Sequence, residues 1–123
     1  MKARVLLLDD DDSGRFTLAA LLEDQGFEVV EAGALTEARE ALANGPFEVA
    51  LIDVHLGDER GADIVPEFLA TNPNASVAFL SGDPPPGGNP GHVWLTKGSD
   101  PMQTIARVGE LATLAVTRSE RKS

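Results

Sequence analysis

Two apolar runs, VLLLD at 5–9 and FEVALID at 47–53, constrain this chain more than any other feature. The first has no polar alternation at all. A run of that kind reads as a strand covered on both faces, as in a parallel sheet sandwiched between helices. Each run also ends on an aspartate. After the first, the aspartates come in series, Asp9, Asp10, Asp11 and Asp12. Four like charges in a row repel one another, and their place at the end of a buried strand needs a reason.

The segments between such runs carry helical spacing. Residues 14–25 place Phe16, Ala19 and Leu22, with Leu18 and Leu21, on a helical period that stops at Gly26. A second strand is predicted over 27–32. A helix follows with Leu35, Ala38 and Leu42 on one face, ending at Gly45. Residues 62–70 put Ile64, Val65, Phe68 and Leu69 on one face, with Pro66 near the first turn, where proline is tolerated. Further strands are predicted over 76–81 and 92–97. The last helix is the best marked: Asp100 can cap it, Pro101 suits its first position, and Gln103 completes a capping box. Ile105, Val108, Leu111 and Ala115 form its apolar stripe.

Strands alternating with helices predict an α/β fold with a parallel sheet. The 123 residues, 42% of them hydrophobic, suffice for one domain with one core. The domain is read as 1–118, with 119–123 a polar tail. One stretch breaks the alternation. GDPPPGGNPG, 82–91, stands where a helix is due, and four prolines and four glycines in ten residues cannot form one.

Composition narrows the functional classes. A net charge of −10 repels nucleic-acid phosphate and argues against direct DNA or RNA binding. There is no cysteine, hence no disulfide and no thiolate metal site. No apolar run approaches the ~20 residues that cross a bilayer. The opening MKARVLLLDDDD lacks the apolar length of a signal peptide. The expectation is a cytoplasmic chain with no membrane contact.

In an open parallel sheet, ligands bind beyond the carboxyl ends of the strands. Those ends carry Asp9 and Asp10, then Asp53, Ser81 and Lys97. Crowded carboxylates call for a cation, and oxygen-only ligands favour a hard ion such as Mg²⁺. The aspartate run thus reads as a metal seat held out by Leu6, Leu7 and Leu8. A metal beside a carboxylate, a hydroxyl and an ammonium suits phosphoryl transfer, in which an aspartate can itself be the acceptor.

VLLLDDDDSGR, LIDVHLGDERG, VAFLSG and VWLTKG, in that order and spacing, together resemble the receiver domain of two-component response regulators. The resemblance covers essentially the whole chain. It implies a flavodoxin-like three-layer α/β/α fold with a five-stranded sheet in the order 2-1-3-4-5, its fourth helix here shortened or replaced by a loop. It implies Asp53 as phosphoacceptor, with Gly61 as the matching glycine eight residues on. Mg²⁺ would be held by Asp9, Asp10, Asp53 and the backbone carbonyl of His55. Arg15 is the arginine that follows the acidic pair, and its spacing leaves Asp11 and Asp12 in the loop. Lys97 and Ser81 would complete the catalytic set, with Ser81 and Trp94 as the switch pair. The implied partners are a sensor histidine kinase or phosphotransfer protein, a downstream protein target and, for some members, a second copy in a homodimer. The chain would be a signalling module that catalyses only its own phosphorylation and dephosphorylation. Departures from the pattern are Gly57, where the family often has proline, Gly98 after Lys97, where many members have proline, and the Pro/Gly stretch.

Two other readings compete. LLLDDDDS also resembles the haloacid-dehalogenase signature of a small phosphatase, with Asp9 as nucleophile and Asp11 as acid/base, but Asp53 then has no role. A degenerate receiver would act by protein contact alone. Read singly, His55 and Asp83 are rim residues, Trp94 is a half-buried strand residue, and His92 is structural or exposed.

Overall fold

The computed structural model describes residues 2–82, 93–97 and 100–121. The element order is β1 (Arg4–Leu8), α1 (Asp12–Asp24), β2 (Glu28–Ala32), α2 (Leu35–Ala41), β3 (Val49–Asp53), a small ribbon of β4 (His55–Leu56) and β5 (Glu59–Arg60), α3 (Val65–Thr71), β6 (Ser76–Ser81), β7 (Val93–Thr96) and α4 (Pro101–Arg121). The main sheet is parallel throughout, in the order β2-β1-β3-β6-β7. Counting its five strands alone, this is the expected 2-1-3-4-5. The ribbon β4-β5 is a separate antiparallel pair.

The strand pleat explains why the apolar runs do not alternate. Leu6, Leu8, Ala50, Ile52 and Phe79 point to one face of the sheet, against Leu35 and Ala38 of α2 and Phe68 of α3. Val5, Leu7, Val49, Leu51, Ala78 and Leu80 point to the other, against Ala19 and Leu22 of α1 and Ile105, Val108 and Leu111 of α4. Each fully buried leucine contributes about 1.5–3 kcal/mol, so burying both faces anchors β1 and β3 firmly. The architecture is three layers, α/β/α.

Local expectations hold with adjustments at the ends. Pro66 sits in the first turn of α3, which a 3₁₀ turn at Gly61–Ile64 precedes. The second helix stops at Ala41 and tightens into a 3₁₀ turn at Leu42–Asn44 before Gly45. Asp100 Oδ1 accepts the Met102 N–H at 3.0 Å, the cap expected of it. The helix it opens buries Ile105, Val108, Leu111 and Ala115 and continues through the expected polar tail as far as Arg121.

The first helix differs in two ways. It begins at Asp12, so Asp12 lies in its first turn rather than in a loop. Phe16, expected on the apolar face, is 56% exposed, whereas Arg15 is buried. The inward slot is taken by the guanidinium because charged partners wait for it there. Gly82 forms an exposed bend. The remainder of the Pro/Gly stretch, with Asp83, His92 and Gly98, lies outside the described residues.

Candidate functional site

The sheet order reverses between β1 and β3, and their carboxyl ends form the switch point where open α/β sheets take ligands. Register delivers the side chains. Leu8 pairs with Ile52, which sets Asp9 and Asp53 level at the sheet's edge. Asp53 pairs with Leu80, and Ser81 with Thr96, which brings Ser81 and Lys97 to the same edge. The Lys97 N–H donates to the Ser81 carbonyl at 2.8 Å.

Asp9 and Asp53 are both buried, and Asp10 is exposed. One oxygen from each of the three lies within 4.8 Å of the others. Lys97 reaches into the group and donates to Asp9 Oδ1 at 3.0 Å and to Asp53 Oδ2 at 2.8 Å. Backbone amides supply further donors: Asp11 N–H to Asp9 Oδ1 at 2.9 Å, His55 N–H to Asp53 Oδ1 at 3.2 Å, and Gly57 N–H to Asp10 Oδ2 at 2.9 Å. Gly57 has φ +59°, a left-handed conformation that glycine adopts without strain, and this turn aims its N–H at Asp10. Proline, which the family often has here, could neither take that φ nor donate.

Burial pushes the Asp53 carboxyl up. Hydrogen bonds from Lys97 and His55 and the charge of Lys97 pull it back, the charge of Asp9 adds upward, and the net direction is above the ordinary carboxylate range. Burial opposes the charge on Lys97, but its bonds to Asp53 and Asp9 outweigh that and hold it above its ordinary value. One ammonium therefore stands against three carboxylates, and the site carries an excess of negative charge.

Gly61 is required by contact. A Cβ there would lie 2.0 Å from the Asp53 carbonyl oxygen and 2.5 Å from Ile52 Cγ2. The loop after Asp53 folds back over the strand that presents it, and Gly61 N–H closes onto the Val54 carbonyl at 3.1 Å. Beside the site, a cleft of about 460 Å³ between α1 and α4 is lined by Asp9, Lys97, Leu18, Leu21 and Leu80, among others.

Four of the sequence-predicted residues thus meet directly: Asp9, Asp10, Asp53 and Lys97. Ser81 is buried at the same edge. His55 contributes its backbone N–H, and its side chain is exposed. Trp94 is half-buried. Its ring packs on Phe79, its register partner, at 5.1 Å between centroids. The bland reading of Trp94 as a packed strand residue describes this placement. Sequence reasoning missed the partners of Arg15. The guanidinium donates to the Asp9 carbonyl at 2.7 Å and pairs with Glu31 at 3.2 Å and Asp12 at 2.9 Å. The available signal was weak: an acid at a strand end and another at a helix start.

Comparisons agree with this geometry. Among curated proteins, the alginate biosynthesis transcriptional regulatory protein AlgB of Pseudomonas putida is 29% identical over 80 residues, covering 65% of this chain and 18% of that protein. The regulatory protein VirG of Rhizobium rhizogenes is 32% identical over 79 residues, covering 64% of this chain and 32% of its own length. The match thus spans a third or less of those relatives. Among solved structures, a CheY-like receiver domain protein from Methanospirillum hungatei superposes with a TM-score of 0.82 at 21% identity, covering 95% of this chain and 98% of its own. At that identity the likeness speaks for the fold. The receiver domain of the hybrid histidine kinase CckA superposes at 0.79 with 27% identity, covering 89% and 99%. The family model for the response regulator receiver domain matches residues 5–85, which include both acid-ended strands and the loop closed by Gly61. An acidic cluster at the switch point, on this sheet order and within that match, places the chain in the response regulator receiver domain family.

Proposed function

We propose that this domain is the phosphoacceptor of a two-component phosphorelay and that Asp53 takes the phosphoryl group. The observation that carries the reading is the Lys97 bridge between Asp9 and Asp53, with Asp10 within reach of both. It gathers a nucleophile, a metal seat and a cation for phosphoryl oxygens at one sheet edge. Asp53 thereby has the role that the phosphatase reading, with Asp9 as nucleophile, leaves empty.

The donor set suits a hard divalent ion. Three carboxylates against one ammonium leave surplus negative charge, and every side-chain ligand is oxygen. Asp9, Asp10 and Asp53 would hold Mg²⁺, with the backbone carbonyl of His55 as a further ligand. The ion would offset charge on the equatorial oxygens of the transferring group. The chain's own residues do the rest. An Asp53 oxygen attacks phosphorus as the bond from phosphorus to the donor's histidine nitrogen breaks, and the released imidazole takes up a proton from solvent. The Asp53 carboxyl must be ionised to attack, and its contacts with Lys97 and the His55 N–H favour that form. Lys97 would follow the charge as it moves onto phosphoryl oxygen, and Ser81 would offer its hydroxyl to another.

The donor would be a sensor histidine kinase or phosphotransfer protein, and the output a contact with a downstream protein. Intact mass after acetyl phosphate with Mg²⁺, followed by peptide mapping, tests the assignment. The expected result is one phosphoryl group on the peptide containing Asp53, absent in Asp53→Asn. A phosphoryl group mapped to Asp9 would return the phosphatase reading.

A further inference from the structure

Arg15 is a buried cation that the phosphoryl-transfer scheme does not use. Its guanidinium joins three elements. Nη1 donates to the Asp9 carbonyl at 2.7 Å, beyond the end of β1. Nη2 meets Asp12 Oδ1 at 2.9 Å in the first turn of α1. Nε meets Glu31 Oε1 at 3.2 Å on β2. Gly33 leaves room for the fork: a Cβ there would stand 3.0 Å from Nη1.

The carbonyl it holds belongs to the peptide that joins Asp9 to Asp10. That peptide is a rigid plane, so its orientation sets ψ of Asp9 and φ of Asp10 together. Those angles decide where the Asp10 carboxylate points. Asp10 is exposed, and the bond from Gly57 N–H comes from a loop. Asp9 is held by its own burial and by Lys97, and Asp53 by its strand. Of the three carboxylates, Asp10 depends most on the peptide behind it.

We propose that Arg15 is a positioning residue for the divalent-cation seat, acting by clamping the Asp9–Asp10 peptide so that the Asp10 carboxylate faces Asp9 and Asp53. The inference rests on the phosphoacceptor reading, which supplies the cation. Planarity matters: a guanidinium presents donors in a fixed fork, whereas an ammonium is a point donor that cannot hold the carbonyl, Glu31 and Asp12 in the same geometry.

Charge and positioning predict opposite signs, which makes the inference testable. By charge alone, removing a cation near a cation site tightens metal binding. By positioning, it loosens it. Mg²⁺ titration by calorimetry would be run on the wild-type chain, Arg15→Gln and Arg15→Lys, each checked for folding by a urea melt in EDTA. The expected result is that both variants bind Mg²⁺ about tenfold more weakly, the scale on which residues behind metal ligands act. Arg15→Lys keeps the charge and serves where Arg15→Gln does not fold. Wild-type affinity in a folded Arg15→Lys, or equal or tighter affinity in Arg15→Gln, overturns the proposal even if stability falls. Absence of Mg²⁺ binding by the wild-type chain would instead overturn the phosphoacceptor reading, and this inference with it.

Discussion

Lys97 Nζ lies 2.8 Å from Asp53 Oδ2 and 3.0 Å from Asp9 Oδ1, so one ammonium spans two buried carboxylates at the carboxyl ends of neighbouring strands. Its own side chain is 33% exposed, while those of Asp9 and Asp53 are 4% and 8%. The lysine is the cheap partner to ionise, and the aspartates are the costly ones.

Removing the lysine therefore leaves two buried charges without a counterion. Breaking a buried pair costs about 3–5 kcal/mol, but solvent reaches this lysine and screens it, so about 1–2 kcal/mol is expected for Lys97→Ala in EDTA at neutral pH. Saturating Mg²⁺ should recover most of that, because a divalent ion restores the missing charge. Urea melts with and without Mg²⁺ check this. A loss of several kcal/mol that Mg²⁺ leaves unchanged would make Lys97 a core residue.

Asp53→Asn should stabilise the metal-free domain. The Asp53 carboxyl sits above its ordinary range in the folded state, chiefly through burial. A group with a raised carboxyl pKa binds its proton more tightly when folded, so its ionisation opposes folding. The penalty is absent below the ordinary carboxylate range, grows as pH rises through it toward the folded value, and is constant above. The stability gap between Asp53→Asn and wild type should follow that course in EDTA and shrink with Mg²⁺. A variant less stable than wild type at neutral pH would contradict it.

Gly61→Ala should damage the site through the backbone. The new methyl would need to stand 2.0 Å from the Asp53 carbonyl oxygen, a position only a shift of the chain can relieve. Overpacking of this kind costs about 1–3 kcal/mol or more. The expected pattern is a lower urea midpoint together with slower labelling by acetyl phosphate, since the strand end that carries Asp53 must move.

Trp94→Phe should be nearly neutral. The indole Nε1 is buried with no hydrogen-bond partner among the described residues, so no bond among them offsets its lost hydration. Phenylalanine keeps a ring against Phe79. A change within about 1 kcal/mol is expected for Trp94→Phe, against about 2–3 kcal/mol for Trp94→Ala. A large loss in Trp94→Phe would show that Nε1 has a partner in solution.

Much of this was written locally in the chain. The runs that lack alternation, the helical stripe of Ile105, Val108 and Leu111, and the Asp100 cap are all short-range patterns, and periodicity alone yields the order of elements. The aspartates at two strand ends announce a charged edge before any fold is known, because burying leucines on both sides leaves the strand terminus as the only wet position. What the sequence could not decide is who meets whom. Lys97 is 88 residues from Asp9 and 44 from Asp53, and nothing local says that its ammonium closes their gap. Arg15 and Phe16 are adjacent, and hydropathy puts the wrong one inside. Tertiary structure reverses them because the Asp9 carbonyl, Asp12 and Glu31 converge from three elements on one slot, where the fixed fork of a guanidinium offers a donor to each.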